Sequence, residues 1–97
     1  MKNFVLINPF EVPQEMDDER FLEGWGRAAD YLRWRPGFVA SRLHRAVSAN
    51  PRFRFVNVAE WESAQEFQAA VRSAEFQEMA AGTPPNYPAL YEVVRLL

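Results

Sequence analysis

The stretch Arg52–Glu78, RFRFVNVAEWESAQEFQAAVRSAEFQE, decides how the rest of the chain is read. Its first part, FRFVNVAEW, alternates like a strand, and the segment that follows repeats its apolar residues at helical spacing. Phe53, Phe55, Asn57, Ala59 and Trp61 fall on one strand face, and Arg54, Val56, Val58 and Glu60 on the other. Asn57 therefore sits in an otherwise aromatic and small-apolar face. An unpaired buried amide costs roughly 1–3 kcal/mol, so Asn57 requires a protein partner, a trapped water or a ligand. An apolar wall with one amide in it suits the positioning of a small aromatic molecule. The plainer alternative is an amide satisfied by neighbouring backbone.

Working outward, Ser63 is an N-cap for the helix, and Glu66 completes a capping box. Phe67, Ala70 and Val71, then Phe76 and Met79 after a break at Ser73, form its buried side. Upstream, Phe38–Val47 reads as a strand with Phe38, Ala40, Arg42 and His44 on one face. Val39, Ser41, Leu43, Arg45 and Val47 lie on the other. Ser48–Pro51 turns it into the Asn57 strand as a hairpin. Phe4–Val12 is a first strand ended by Pro13. Acids at Glu15, Asp17, Asp18 and Glu19 then suit the positive end of a helix, which runs to about Arg35 and stops at Pro36-Gly37. Gly24 and Gly26 each weaken that helix by roughly 1 kcal/mol relative to Ala, which fits close packing or room for a ligand. After a stiff loop, Gly82–Pro88, Leu90–Leu96 reads as the last strand. The order β-α-β-β-α-β predicts an α+β, ferredoxin-like fold over residues 1–97 as one domain. Its antiparallel four-stranded sheet carries both helices on one face.

The 97 residues are 48% hydrophobic and 14% aromatic. A chain this size buries only about 60–68% of its unfolded surface. Packing against a second copy, sheet to sheet, would hide the excess, so a homodimer is expected. A net charge of −2 without a basic run argues against nucleic acid. The lack of cysteine excludes disulfides, thiolate nucleophiles and Cys-ligated metals, and fits a reducing cytoplasm. No segment approaches the ~20 apolar residues that span a membrane. Phosphate-binding glycine loops, metal-spaced His/Asp/Glu clusters and nucleophile–base pairs are all missing from the pattern.

The strings FVLINPFEVP, PGFVASRLHR, RFRFVNVAEWES and SAEFQEMA, in that order, resemble the antibiotic biosynthesis monooxygenase family of dimeric α+β barrels. The resemblance covers almost the whole chain and is most specific at VNVAEWES. It implies a homodimer, a pocket between the sheet and helices of each subunit, and in some members oxygenation of polyphenols without metal or flavin. The haem-degrading branch of the family also has an asparagine at the place of Asn8. It carries a Trp and an axial His where this chain has Ala70 and Ala80, roughly. Haem iron needs an axial donor, so haem degradation is not expected, and no cofactor is.

A cofactor-free oxygenase of this kind takes a proton from an acidic phenol or anthrone, and the carbanion itself reduces oxygen. The protein must hold a ring, supply a base and stabilise an oxyanion. The resemblance makes Phe10, Trp25, Tyr31, Phe55, Trp61, Phe76 and Tyr91 candidate walls. Asn8, Asn57, Arg42 and His44 are the candidates for the polar work. Strands one and three are neighbours in this fold, so Asn8 and Asn57 can converge. His44 is the one imidazole and so the one ready-made base by residue type, although an edge-strand His between Arg42 and Arg45 also suits a surface or interface role. Two classes of function follow: a cofactor-independent monooxygenase acting on a small aromatic or polyphenolic substrate, or a non-catalytic dimeric module for small-molecule binding or stress response.

Overall fold

The computed structural model describes residues 4–97. Its elements run β1 (Phe4–Phe10), α1 (Asp18–Leu32), β2 (Phe38–Arg45), β3 (Phe55–Trp61), α2 (Ala64–Arg72), α3 (Ala74–Ala80) and β4 (Ala89–Glu92). The strands form one antiparallel sheet in the order β2-β3-β1-β4. This is the ferredoxin-like arrangement, with the second helix in two pieces. Alternation on β3 sends Phe55, Ala59 and Trp61 into the core, where each is at most 3% exposed.

Ser73 makes the break between α2 and α3. Its backbone is extended, with ψ 148°. Its hydroxyl accepts from the Phe76 amide at 3.2 Å and donates to the Ala70 carbonyl at 2.8 Å, so the Tyr31 hydroxyl at 2.8 Å must be the donor to it. Tyr31 thus pins α1 to the helix junction. At the start of α2, Ser63 caps the Glu66 amide at 3.1 Å, while the Glu66 carboxylate accepts from the Ser63 hydroxyl at 2.9 Å. The reciprocal bond expected of a capping box therefore goes to the side chain of Ser63. Glu66 also packs on Gly37, whose φ is +89° and whose missing Cβ would lie 2.6 Å from the Glu66 Cβ. Only glycine suits both the backbone and the space there.

The strand ends differ from the sequence reading because a strand stops where its partner does. Phe10 pairs with Phe55, so β1 ends short of Val12 and β3 starts after Phe53. Arg45 also pairs with Phe55, so β2 stops before Val47. β4 ends at Glu92, short of Leu96, and residues 93–97 are exposed. α1 ends at Leu32 rather than Arg35, with Arg33 as its C-cap.

A β-bulge between Phe38 and Ala40 changes the facing of β2. Phe38 stands opposite Trp61, and beyond the extra residue Val39, Ser41 and Leu43 stand opposite Ala59 and Asn57. Ser41 and Leu43 therefore share the helix side with Phe38, which simple alternation had separated from them. Arg42 and His44, opposite Val58 and Val56, face the other way.

The chain between β1 and α1 is held by Arg54. Its guanidinium donates to the carbonyls of Met16 and Pro13 at 2.9 Å, to that of Val12 at 3.4 Å, and to the Asp18 carboxylate at 2.9 Å. Asp18 also accepts from Arg45 at 3.1 Å. The hydrogen bond from Arg54 above all, helped by Arg45, holds the Asp18 carboxyl below its ordinary value of 3.8 although desolvation opposes it. A depressed carboxylate contributes stability above its unfolded pKa and loses it as pH falls through the folded one. Asp18→Asn should therefore flatten the loss of stability on acidification below that ordinary value. Urea midpoints followed from neutral into acid conditions read this directly. Parallel acid limbs for the variant and the wild type would refute the assignment.

Candidate functional site

On the helix side of the sheet, the core falls into two parts. One gathers Leu6, Ala59, Trp61 and Ala70; the other gathers Phe10, Phe21 and Phe55. In the first, Trp61 meets Phe38 and Phe67 edge-on, with ring centroids 5.4 and 5.5 Å away. In the second, Phe21 stacks on Phe55 at 4.5 Å and meets Phe10 edge-on at 5.0 Å. Asn8 lies between Leu6 and Phe10 on β1, and Asn57 lies between Ala59 and Phe55 on β3. The strand register sets these two amides directly opposite each other.

Over this polar row lies a cavity of about 610 Å³, bounded by the sheet, α1, α3 and the Gly82–Pro88 loop. Asn8, Asn57, Phe10, Trp25, Trp61 and Phe76 all line it. Gly24 lines it too, whereas a Cβ at Gly26 would meet nothing within 4 Å. Ala80 is also in its wall.

The polar groups here are only partly satisfied. Asn57 Oδ1 accepts from the Ser41 hydroxyl at 2.6 Å, which turns the Asn57 Nδ2 donor away from Ser41. Asn8 Nδ2 donates to Asn86 Oδ1 at 3.4 Å, and Asn86 is itself oriented by its bond to the Pro84 carbonyl at 2.9 Å. Asn8 Oδ1 and Trp61 Nε1 are buried without a hydrogen-bond partner among the described residues. Trp61 is 1% exposed, so its N–H has given up solvent. One unfilled acceptor and one unfilled donor are thus buried in side chains that line an apolar hollow, with Asn57 directly opposite Asn8.

Several expected residues are elsewhere. Phe55 is in the core, 3% exposed and stacked beneath Phe21, and is not part of the cavity wall. Tyr31 borders a separate, smaller hollow with Ser73 and Glu66. Tyr91 pairs with Val5 and is 51% exposed on the outer sheet face. Arg42 and His44 are on that outer face as well, so the bulged edge strand keeps both away from the cavity of their own subunit. Ser41 and Asn86, which orient the two central amides, carry no sequence signal: one sits past a bulge and the other in an aperiodic loop.

The loop that carries Asn86 is tied to β1. The Glu11 amide donates to the Pro85 carbonyl at 2.8 Å, and the Tyr87 amide to the Pro9 carbonyl at 3.2 Å. The Tyr87 hydroxyl donates to the Glu11 carboxylate, which also meets Arg52 at 3.4 Å. These contacts, Tyr87 first and Arg52 second, hold the Glu11 carboxyl below its ordinary value, and the same hydrogen bond raises the Tyr87 phenol.

A buried acceptor without a donor costs stability, by about 1–3 kcal/mol, whereas an apolar group of similar shape does not. Asn8→Leu removes that unfilled acceptor together with the long bond from Asn8 to Asn86, so the two effects should nearly cancel and leave thermal stability little changed. Calorimetric melting of the variant tests this. A clear fall in Tm would mean that the amide serves the fold rather than the hollow.

Residues 3–82 match the family described as antibiotic biosynthesis monooxygenase. A monooxygenase candidate from Shewanella loihica is 30% identical, covers 99% of each chain and superposes with a TM-score of 0.85. SnoaB, a cofactor-independent oxygenase from Streptomyces nogalater, is 22% identical over 100% of this chain and 98% of its own, with a TM-score of 0.84. A dimeric protein of unknown function and ferredoxin-like fold from Bacteroides fragilis is 11% identical over 94% of this chain and 96% of its own, with a TM-score of 0.70. No curated protein matches the chain. With the profile matching more than half its length and a relative of 30% identity spanning it, this chain belongs to the antibiotic biosynthesis monooxygenase family.

Proposed function

We propose that the protein is a cofactor-independent monooxygenase acting on a small aromatic or polyphenolic substrate held over the Asn8–Asn57 row. The observation that carries this reading is the unpaired Trp61 N–H and Asn8 Oδ1 on side chains that line a hollow whose walls include Trp25 and Phe76. Family membership and the activity of SnoaB support it.

An anthrone or quinol presents what such a site lacks. Its hydroxyl donates to Asn8 Oδ1, and its carbonyl or phenolate oxygen accepts from Trp61 Nε1 and Asn57 Nδ2. Donors aimed at that oxygen stabilise the enolate formed when the substrate loses its proton to solvent water, which makes the substrate more acidic in the site than in water. The electron-rich carbanion then reduces molecular oxygen. One oxygen atom stays as a new carbonyl, the other leaves as water, and the two hydrogens of that water come from the oxidised carbon. For an anthrone this is anthrone plus oxygen giving anthraquinone plus water, so the substrate supplies all the electrons. Ser41 fixes the Asn57 amide so that its N–H₂ donates, and Asn86 does the corresponding work for Asn8.

We also propose a homodimer through the outer face of the sheet. That face carries Val5, Ile7, Val56, Val58 and Tyr91, and the helices cover only the opposite one. The thin dimension of the molecule, 17 Å, is that of one sheet and one helix layer.

Oxygen uptake measured against a panel of anthrones, quinols and flavonoids tests the activity. Asn57→Ala should lower turnover of an accepted substrate by about 10²–10³, the usual cost of one oxyanion donor, with the fold intact. Turnover equal to wild type would remove Asn57 from the mechanism, and binding without oxygen uptake would mark a non-catalytic binding module.

Light scattering tests the assembly. The expected result is a dimer whose interface buries well above about 1,000 Å². A monomer at micromolar concentration would overturn it.

A further inference from the structure

We propose that the ligand of this cavity is an aromatic compound carrying an anionic substituent, a carboxylate above all, with the rings against Trp25, Trp61 and Phe76 and the charge at Arg20, Arg27 and Arg72. The inference rests on the reading of the cavity as a ring-binding site and adds the class of substituent that the mouth selects.

Arg20, Gly24 and Arg27 follow one another at helical spacing of four and three, so a single stripe of α1 borders the cavity with two guanidinium groups. Arg72 joins them from the last turn of α2. The Arg27 Nη2 lies 3.8 Å from the position a Gly24 Cβ would occupy, so this guanidinium folds across the helix at the rim. Arg45, Arg52 and Arg54 are each paired with Asp18 or Glu11. Arg20, Arg27 and Arg72 have no ion pair among the described residues. One carboxylate, Glu23, is the acid among the lining residues, so the mouth is positive in a chain whose net charge is −2.

Arginines left unpaired at a solvent-exposed site are ordinarily hydrated and bind little. Here they border a hollow whose other walls are largely apolar, and low-dielectric walls focus the field of charges at an opening. The depth offers a polar group of its own, because Asn57 lines the cavity and its Oδ1 is taken by Ser41, which leaves its N–H₂ for a ligand oxygen. The depth and the mouth thus ask for different things on one molecule: a phenolic or carbonyl oxygen inside and an anion outside. The planar fork of arginine matches a carboxylate by paired hydrogen bonds. Arg72 also complements the C-terminal end of the α2 dipole, which keeps its charge in place without consuming its donors.

Anthraquinone carboxylate and its methyl ester are matched probes, alike in ring and different in charge. Quenching of tryptophan fluorescence reports their binding, since Trp25 and Trp61 both line the cavity. The carboxylate should bind about tenfold more tightly than the ester, the scale of one to two charge-assisted hydrogen bonds discounted for exposure. Rising salt should narrow that difference. The triple variant Arg20→Gln, Arg27→Gln, Arg72→Gln should abolish the preference and leave the affinity for the ester unchanged, with its circular dichroism and Tm confirming the fold. Saturable binding of both probes with equal affinity overturns the anion inference and leaves the ring site standing. A preference that survives in a folded triple variant overturns the assignment to these arginines. Failure of both probes to bind overturns the inference together with the ring site.

Discussion

Everything in this molecule is arranged around two amides placed opposite each other in the middle of a sheet. Strand pairing sets Asn8 against Asn57, and neither can be buried dry without partners. Apolar side chains therefore gather on either side of the row rather than over it, under α2 around Trp61 and under α1 around Phe21. A core divided in this way cannot be closed by helices without leaving a gap. The gap is the cavity, and its chemistry follows from the row that caused it.

The helices are held around that gap by a few polar contacts outside it. Ser73 ends one helix and starts the next, and Tyr31 ties the junction to α1. Gly37 lets α2 approach the start of β2 through Glu66. Arg54 collects carbonyls that the β1–α1 connection would otherwise expose, and so fixes the chain leading to Met16 in the cavity wall. Each contact sets the position of a wall without entering the hollow. Side chains such as Trp25 and Phe76 can then remain only half buried and still be well placed.

Periodicity made the elements and their order legible, and the strand order of a ferredoxin-like fold made the convergence of Asn8 and Asn57 legible, because alternation along β1 and β3 is undisturbed. It failed on β2, where a bulge at Val39 shifts the facing of every later residue. No propensity marks that bulge, which depends on how β2 meets β3. Strand ends were overread for a related reason: Val12, Phe53, Val47 and Leu96 have strand-like character but no strand partner among the described residues. Phe55 and Tyr91 show the limit of composition, since an aromatic on the correct strand can be core, wall or outer face depending on register. The arginine stripe of α1 was readable in principle. Arg20, Gly24 and Arg27 keep helical spacing, yet only the tertiary position of α1 reveals that the stripe meets a cavity.

The division between strands and helices also bears on how such a protein can change over evolutionary time. The amides are built into paired strands, where a shift of register would turn them to the opposite face. The arginines and much of the surrounding wall project from helices and a loop and are exposed or half buried, where substitutions usually cost little stability. A lineage can therefore alter which molecules fit, by exchanging residues such as Arg27, Arg72 or Met79, while the central row is left untouched. The same sheet can host successive ligand preferences without passing through an unfolded intermediate sequence.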